Sequence, residues 1–172
     1  MTRKVWLLCV VLLLGVSLAG ATTLIKMNFG DLARQADQIV VGTVTGVEGE
    51  WDPSLTFIRT NVTLTVERSL RGQSSEQIVL RTPGGWVGGT GQDFEGAATF
   101  EVGERVLVFM TTWEEDGAPK VLGYVQGKSR IVTDEQGIER LQGGSGHGLT
   151  IAGAMRELQH GPDHNVALRP AN

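Results

Sequence analysis

The fold is decided by the stretch TFIRTNVTLTVE, residues 56–67. Its apolar side chains at Ile58, Val62, Leu64 and Val66 alternate with polar ones, and successive side chains of an extended chain point to opposite faces. One face would then lie on a core and the other in water. The stretch therefore predicts a half-buried β-strand.

Further strand-like segments lie on both sides of this stretch. Residues 38–47 are rich in β-branched side chains and begin with apolar residues on both faces, which is typical of a strand in a buried sheet. Later strands are predicted at 77–81, 105–110, 121–125 and 129–133, and a turn at 134–137 leads to Ile138 and Leu141. The run at 105–110 is apolar throughout, which predicts burial on both faces. The chain thus has six or seven short strands.

A short helix is expected on each side of the strands. Before them, apolar residues have helical spacing behind a capping asparagine, at Asn28, Phe29, Leu32, Ala33 and Ala36. After them, a helix is expected from the capping Thr150 through Ile151, Met155 and Leu158, ended by Gly161-Pro162. This order predicts a mainly β protein, a small OB-like (Greek-key) barrel with a short N-terminal and a short C-terminal helix.

The first residues indicate export. A basic pair, Arg3-Lys4, precedes an apolar run and the small residues 19–21, which is the pattern of a secretory signal peptide. We expect a signal peptide at 1–21, a barrel domain at 22–142, a Gly-rich linker at 143–149, and a short helix with a flexible tail at 150–172. The mature protein would be periplasmic or extracellular.

Charge and cysteine content restrict the function classes. Removal of Arg3 and Lys4 changes the net charge from −4 to −6, and no basic cluster remains, so nucleic acid and membranes are not expected partners. The single cysteine, Cys9, lies in the signal peptide. The mature chain would therefore have no disulfide and no thiol for catalysis or metal binding.

The stretch PGGWVGGTGQDFEG, residues 83–96, contains six glycines, which sacrifice chain entropy for backbone freedom. As a loop between strands it would expose backbone N–H groups and two aromatic side chains as a contact surface. In the alternative, the glycines only turn corners and Trp86 plugs the open core. The candidate binding residues are Gly84, Gly85, Trp86, Val87, Gly88, Gly89, Gln92 and Phe94.

Other motifs are weak. In a phosphate-binding P-loop the last glycine is followed by Lys and then by Ser or Thr, whereas here Gly89 is followed by Thr90-Gly91. No phosphate or nucleotide cofactor is therefore expected. Gly143-x-Ser145-x lacks the final glycine of a nucleophile elbow. His160, Asp163 and His164 are close in sequence, but Gly161-Pro162 would break a helix that aligned them, so neither a metal site nor catalytic residues are predicted there.

Four segments carry a family resemblance: ADQIVVGTV at 36–44, VERSLRG at 66–72, PGG at 83–85 and VGERVLVF at 102–109. Together they resemble a family of exported bacterial proteins of unknown function, whose domain is similar to the OB-like barrel of tissue inhibitors of metalloproteinases and of netrin modules. In those inhibitors an N-terminal cysteine binds the protease zinc, and this chain has no such cysteine after residue 21.

These observations favour an exported, non-catalytic module that binds a protein through the loop at 83–94. The resemblance implies an alternative, an inhibitor or accessory of an exported metalloprotease. A structural role in the cell envelope is a third possibility. No enzyme activity and no cofactor are expected.

Overall fold

The computed structural model describes residues 25–72, 75–113 and 117–160. Its elements in chain order are α1 (Phe29–Gln35), β1 (Gln38–Trp51), β2 (Ile58–Arg71), β3 (Gln77–Pro83), β4 (Gly85–Val87), β5 (Thr90–Gln92), β6 (Arg105–Thr112), β7 (Pro119–Val121), a 3-10 helix (Tyr124–Gly127), β8 (Lys128–Thr133), β9 (Glu139–Gln142) and α2 (Ile151–His160).

Five strands form a closed ring. The neighbours run β1-β2-β3-β7-β6 and back to β1, and all of these pairs are antiparallel except β3–β7. The parallel pair closes the ring at Arg81 and Lys120. β8 and β9 extend the sheet beyond β6. This is an OB-like Greek-key barrel with a short helix before it and another after it, so the predicted fold class is confirmed.

The first half of β1 and most of β6 are buried on both faces. Inside the ring, Val40 on β1 and Val106 and Val108 on β6 pack with the inward residues of β2 and β3. The intervening residues of β6, Leu107 and Phe109, face the opposite way and pack under the two helices. The expected burial of residues 105–110 on both faces is therefore confirmed.

Helix α1 begins as predicted. Asn28 accepts a hydrogen bond from the Asp31 N–H (2.8 Å), and the Asp31 carboxylate accepts one from the Asn28 N–H, which forms a complete capping box. The helix buries Leu32 completely and sets the Phe29 ring edge-to-face on Phe109, with 5.1 Å between the ring centroids.

Strands β1 and β2 extend beyond their predicted ends. Residues 46–51 of β1 pair with residues 58–63 of β2, which also pair with β3, whereas β1 pairs with β6 only as far as Thr43. We call residues 46–51 and 58–63, at one end of the barrel, the ribbon. Its outer face carries an ion pair between Glu50 and Arg59 (2.7 Å). The hydrogen bond from Arg59 lowers the pKa of Glu50 below its usual range. The ribbon is the support on which the candidate surface stands.

The segment predicted as a strand at 121–125 has a different structure. β7 ends at Val121, and the left-handed backbone of Gly123 (φ 70°) and Tyr124 (φ 58°) turns the chain into the 3-10 helix. An extended chain cannot pass through two left-handed residues. The apolar residues after Val121 therefore belong to a turn and the 3-10 helix, not to a strand.

The Gly-rich segment 143–149 joins β9 to α2, but it is packed against the barrel. The Ser145 hydroxyl donates to the Met27 carbonyl (2.5 Å), and the Ser129 hydroxyl donates to the Gly143 carbonyl (2.9 Å). Ser145 thus has a structural partner. Thr150 caps α2 by accepting from the Gly153 N–H (3.0 Å), and α2 buries Ile151 and Ala154 in the core shared with α1.

Several sequence predictions lie outside the described residues, namely the signal peptide at 1–21, the helix end at Gly161-Pro162, and Asp163 and His164. Within the described ranges, neither helix has the length and apolar character that a membrane span requires.

Candidate binding surface

The glycine-rich loop contains a β-hairpin that the sequence did not predict. Residues Gly85–Val87 pair with Thr90–Gln92, and Gly88 and Gly89 form the two-residue turn with φ values of 56° and 85°. Two consecutive left-handed residues are typical of the hairpin turn whose twist matches that of paired strands. The turn therefore requires residues that tolerate a positive φ at positions 88 and 89, and glycine meets this requirement.

The hairpin is fixed to the start of β2. The Gly84 N–H donates to the Ile58 carbonyl (2.8 Å), and the Thr60 hydroxyl donates to the Gly84 carbonyl (2.6 Å). The Gln92 side chain accepts from the Ile58 N–H. Of the predicted binding residues, buried Gly84 and half-buried Gln92 thus hold the hairpin in place.

The hairpin also rests on β1, because Gly49 leaves room for the Trp86 carbonyl. A Cβ atom at position 49 would collide with that carbonyl oxygen. The hairpin is therefore held on both strands of the ribbon. Gly85 and Val87 are half-buried at its base, whereas Gly88 and Gly89 are exposed at its tip.

Trp86 does not plug the barrel. Its side chain is 74% exposed, so the alternative in which the ring fills the open core does not describe this structure. The indole lies instead across Gly91, its cross-strand partner. One face of the ring covers the hairpin and the other is open to solvent. An exposed tryptophan on a hairpin that is fixed by main-chain hydrogen bonds has the properties of an interface anchor.

The β1–β2 loop, residues 52–57, adds a second exposed apolar side chain. Leu55 is 71% exposed and has a left-handed backbone (φ 57°), which costs energy for a residue with a Cβ. The Asp52 carboxylate holds this conformation by accepting hydrogen bonds from the N–H groups of Ser54 (3.0 Å), Thr56 (2.6 Å) and Phe57 (2.8 Å). Leu55 is thus presented on a preorganised loop.

The protonation state of Asp52 fits this role. Burial alone would raise its pKa, but the hydrogen bonds from Phe57, Ser54 and Thr56 outweigh burial and hold the pKa well below its usual range. The carboxylate is therefore ionised whenever the protein is near neutral pH, and the loop keeps its acceptor.

Phe57 connects this loop to the segment after the hairpin. Its ring meets Phe94 edge-to-face, with 6.4 Å between the centroids, and Phe94 is 44% exposed. A cavity of about 270 Å³ lies behind Trp86 and Phe94. We call the surface formed by Leu55, Phe57, Trp86 and Phe94 the apolar end.

Acidic residues border the apolar end. Asp93 and Glu95 flank Phe94, and both are exposed. Neither forms an ion pair within the described ranges. A partner surface that carries lysine or arginine would therefore be favoured there over an acidic one.

The sequence reasoning missed Leu55 and Phe57. The signal was present in Asp52-Pro53-Ser54, because Asp, Pro and Ser are characteristic of a turn in which an Asp side chain binds the backbone two residues on. A turn predicted there would have placed Leu55 at its tip. The exposure of that leucine has no signal in the sequence.

Within the described residues, no group of three or more His, Cys, Asp or Glu side chains is arranged to hold a metal ion. No protein-family model matches this chain, and no curated protein matches it either.

Proposed function

We propose that this protein is an exported, non-catalytic module that binds a partner protein through the apolar end. The observation that carries the proposal is the 74% exposed Trp86 on an anchored hairpin. Large exposed aromatic side chains on rigid supports are the usual hot spots of protein interfaces. The proposal accounts for the glycines and for the strained Leu55, which the barrel itself does not need.

The partner we propose has an apolar recess bordered by basic side chains. The recess would receive Trp86 and Leu55, and lysine or arginine would face Asp93 and Glu95. Electrostatic pairing of exposed charges weakens as salt is added. Binding should therefore weaken when the salt concentration rises, without being abolished.

The test is a capture experiment with matched variants. Residues 22–172 are immobilised and exposed to the exported protein fraction of the source organism, beside the variants Trp86→Ala and Leu55→Ser. Ile138→Ala is the control, because Ile138 is also an exposed apolar residue (42%) but lies between β8 and β9. Each protein retained is purified and its affinity measured at low and high salt.

Support requires a purified partner that loses affinity at least about tenfold with Trp86→Ala and Leu55→Ser, keeps it with Ile138→Ala, and binds less tightly in salt. The proposal fails if no purified protein shows this pattern. If Trp86→Ala instead lowers the melting temperature strongly, the hairpin is architectural and the envelope role is favoured.

The experiment also separates the inhibitor alternative. A partner that is a zinc protease, and whose activity falls when the module binds, would make the module an inhibitor. A partner whose activity is unchanged would leave it an adaptor. Similarity of fold does not transfer the inhibitor function, since fold and function vary independently.

A further inference from the structure

A second concave site lies beside the closure of the ring. A cleft of about 300 Å³ opens between the end of β3, the end of β6 and the chain that follows β7. Its walls include Arg81, Pro83, Trp113, Lys120, Val121 and Tyr124. Trp86 is not among the lining residues. The volume is at the lower end of the range for small-molecule pockets.

Trp113 lines the cleft, and its indole N–H is a buried donor without an acceptor. The Nε1 atom of Trp113 is buried, and it has no hydrogen-bond partner in the part of the chain that the structure describes. Buried polar groups are nearly always paired, because an unpaired one loses its bond to water without replacement. A bound molecule with a hydrogen-bond acceptor would satisfy this indole.

Among the described residues, the two charged side chains that line the cleft, Arg81 and Lys120, are both basic. The Lys120 ammonium lies 4.6 Å from the centroid of the Trp113 ring and forms no ion pair with a described carboxylate. Arg81 also lines the cleft, and its Nε donates to the side-chain oxygen Oδ1 of Asn61 (3.2 Å). The site therefore combines an unsatisfied donor with positive charge, which favours an anion.

Apart from Thr82 and Thr111, the remaining side chains in the walls are apolar or aromatic. Pro83 and Val121 contribute hydrocarbon surface, and Tyr124 stands at the rim, half exposed. Tyr124 keeps a left-handed backbone (φ 58°) that is unfavourable for a residue with a Cβ. Strained residues of this kind concentrate at binding sites.

We propose that this cleft binds a small molecule with an apolar body and one anionic group. The anion would pair with Lys120 and accept the hydrogen bond of Trp113 Nε1, while the body contacts Pro83, Val121 and Tyr124. Pro83 lines both this cleft and the cavity behind Trp86, but none of the four side chains of the apolar end lines the cleft, so this proposal is tested separately from the protein-binding proposal.

A pair of dyes tests the charge requirement. 8-Anilinonaphthalene-1-sulfonate and N-phenyl-1-naphthylamine share the same ring system, but only the first is anionic. We expect the sulfonate to bind at one site per chain and at least about tenfold more tightly than the neutral dye, since a hydrogen bond to a charged group contributes at least that factor.

Three variants locate the site. Lys120→Gln should remove most of the preference for the sulfonate. Trp113→Phe keeps an aromatic ring but lacks the N–H, so it should weaken the sulfonate and leave the neutral dye unchanged. Trp86→Ala, which alters only the apolar end, should affect neither dye. Circular dichroism and melting curves establish that each variant is folded.

A magnetic resonance experiment gives an independent readout. The indole N–H signal that disappears in Trp113→Phe belongs to Trp113, and in the wild type it should shift when the sulfonate is added, while those of Trp51 and Trp86 stay in place. The proposal is overturned if both dyes bind equally, if Trp86→Ala removes binding, or if the Trp113 signal does not move on saturation.

Discussion

The indole of Trp86 lies flat against the backbone of Gly91 on the opposite strand of its hairpin. A Cβ atom added at Gly91 would come within 2.7 Å of indole Cε2 and 2.8 Å of Cζ2. Real Cβ atoms do not approach other atoms this closely, so the glycine is what permits the ring to cover the hairpin. The exposed position of Trp86 thus depends on its partner having no side chain.

Gly91→Ala should displace the indole without unfolding the hairpin, because the backbone at position 91 is not left-handed. We expect the indole N–H signal of Trp86 to shift and its fluorescence spectrum to change, with a change in unfolding free energy below about 1 kcal/mol. Thr90→Ala, one residue away, is the control. An unchanged Trp86 signal would show that the ring does not lie on Gly91.

Gly88→Asn should stabilise the hairpin. The φ of 56° at this position suits Asn, and no atom lies within 4 Å of an added Cβ. Asn before Gly is the preferred sequence for this turn, and replacement of a compatible glycine restricts the unfolded chain. The unfolding free energy measured in urea should rise by about 0.5 kcal/mol. Gly88→Val should lower it, because a β-branched residue disfavours positive φ.

Asp52→Ala should release the β1–β2 loop. The variant loses the acceptor shared by Ser54, Thr56 and Phe57, so the amide protons of Thr56 and Phe57 should exchange with solvent much faster. Ser54→Ala is the control, since it removes one hydroxyl donor and keeps the carboxylate. Equal exchange in Asp52→Ala and the wild type would contradict the role assigned to Asp52.

Glu104→Gln should destabilise the barrel by about 3 kcal/mol, because it removes the carboxylate from a buried ion cluster. The Glu104 side chain is 3% exposed and binds Lys128 Nζ (2.7 Å) and Arg130 Nε (2.7 Å), which joins the loop before β6 to β8. Glu101 is the matched control, since it also pairs with Arg130 but is 79% exposed. Glu101→Gln should cost less than about 1 kcal/mol in chemical denaturation.

The same cluster predicts an acid dependence of stability. Burial would raise the pKa of Glu104, but the hydrogen bonds from Lys128 and Arg130 outweigh burial and hold it below its ordinary value of 4.5. Its contribution is therefore complete above pH 4.5 and is lost as the pH falls through the folded-state value. Melting temperatures of the wild type should fall in this acidic range, and those of Glu104→Gln should fall less steeply. Parallel curves would contradict the assignment.

The parts of the fold that could be read from the sequence are those in which each residue follows a regular local pattern. The alternation at Ile58, Val62 and Leu64 indicates a strand with one buried and one wet face. Asn28 followed by Asp31 indicates the start of a helix. The end of β1 could not be read, because Gly49 and Glu50 lie beyond the part of β1 that pairs with β6 and outside both core clusters, where no repeated core contact imposes a pattern.

The candidate surface was only partly predictable. The glycine-rich composition indicated an unusual loop around Trp86. It gave no indication of strands β4 and β5, because glycine does not favour the strand conformation. The contact between Gly49 and the Trp86 carbonyl joins residues far apart in sequence. The cleft at Trp113 and Lys120 is also formed by distant segments, so the sequence had no local pattern for it.

The way the hairpin is attached has a consequence for protein engineering. Gly84 and Gln92 provide the hydrogen bonds to the barrel, whereas residues 86–91 lie between these two attachment points. None of residues 86–91 belongs to either core cluster. Two features of the segment restrict its sequence, namely the positive φ of the turn at 88 and 89 and the close approach of the Trp86 carbonyl to Gly49. The segment is a natural position for a randomised library, in which a scaffold without disulfides would display new recognition sequences while its barrel stays unchanged.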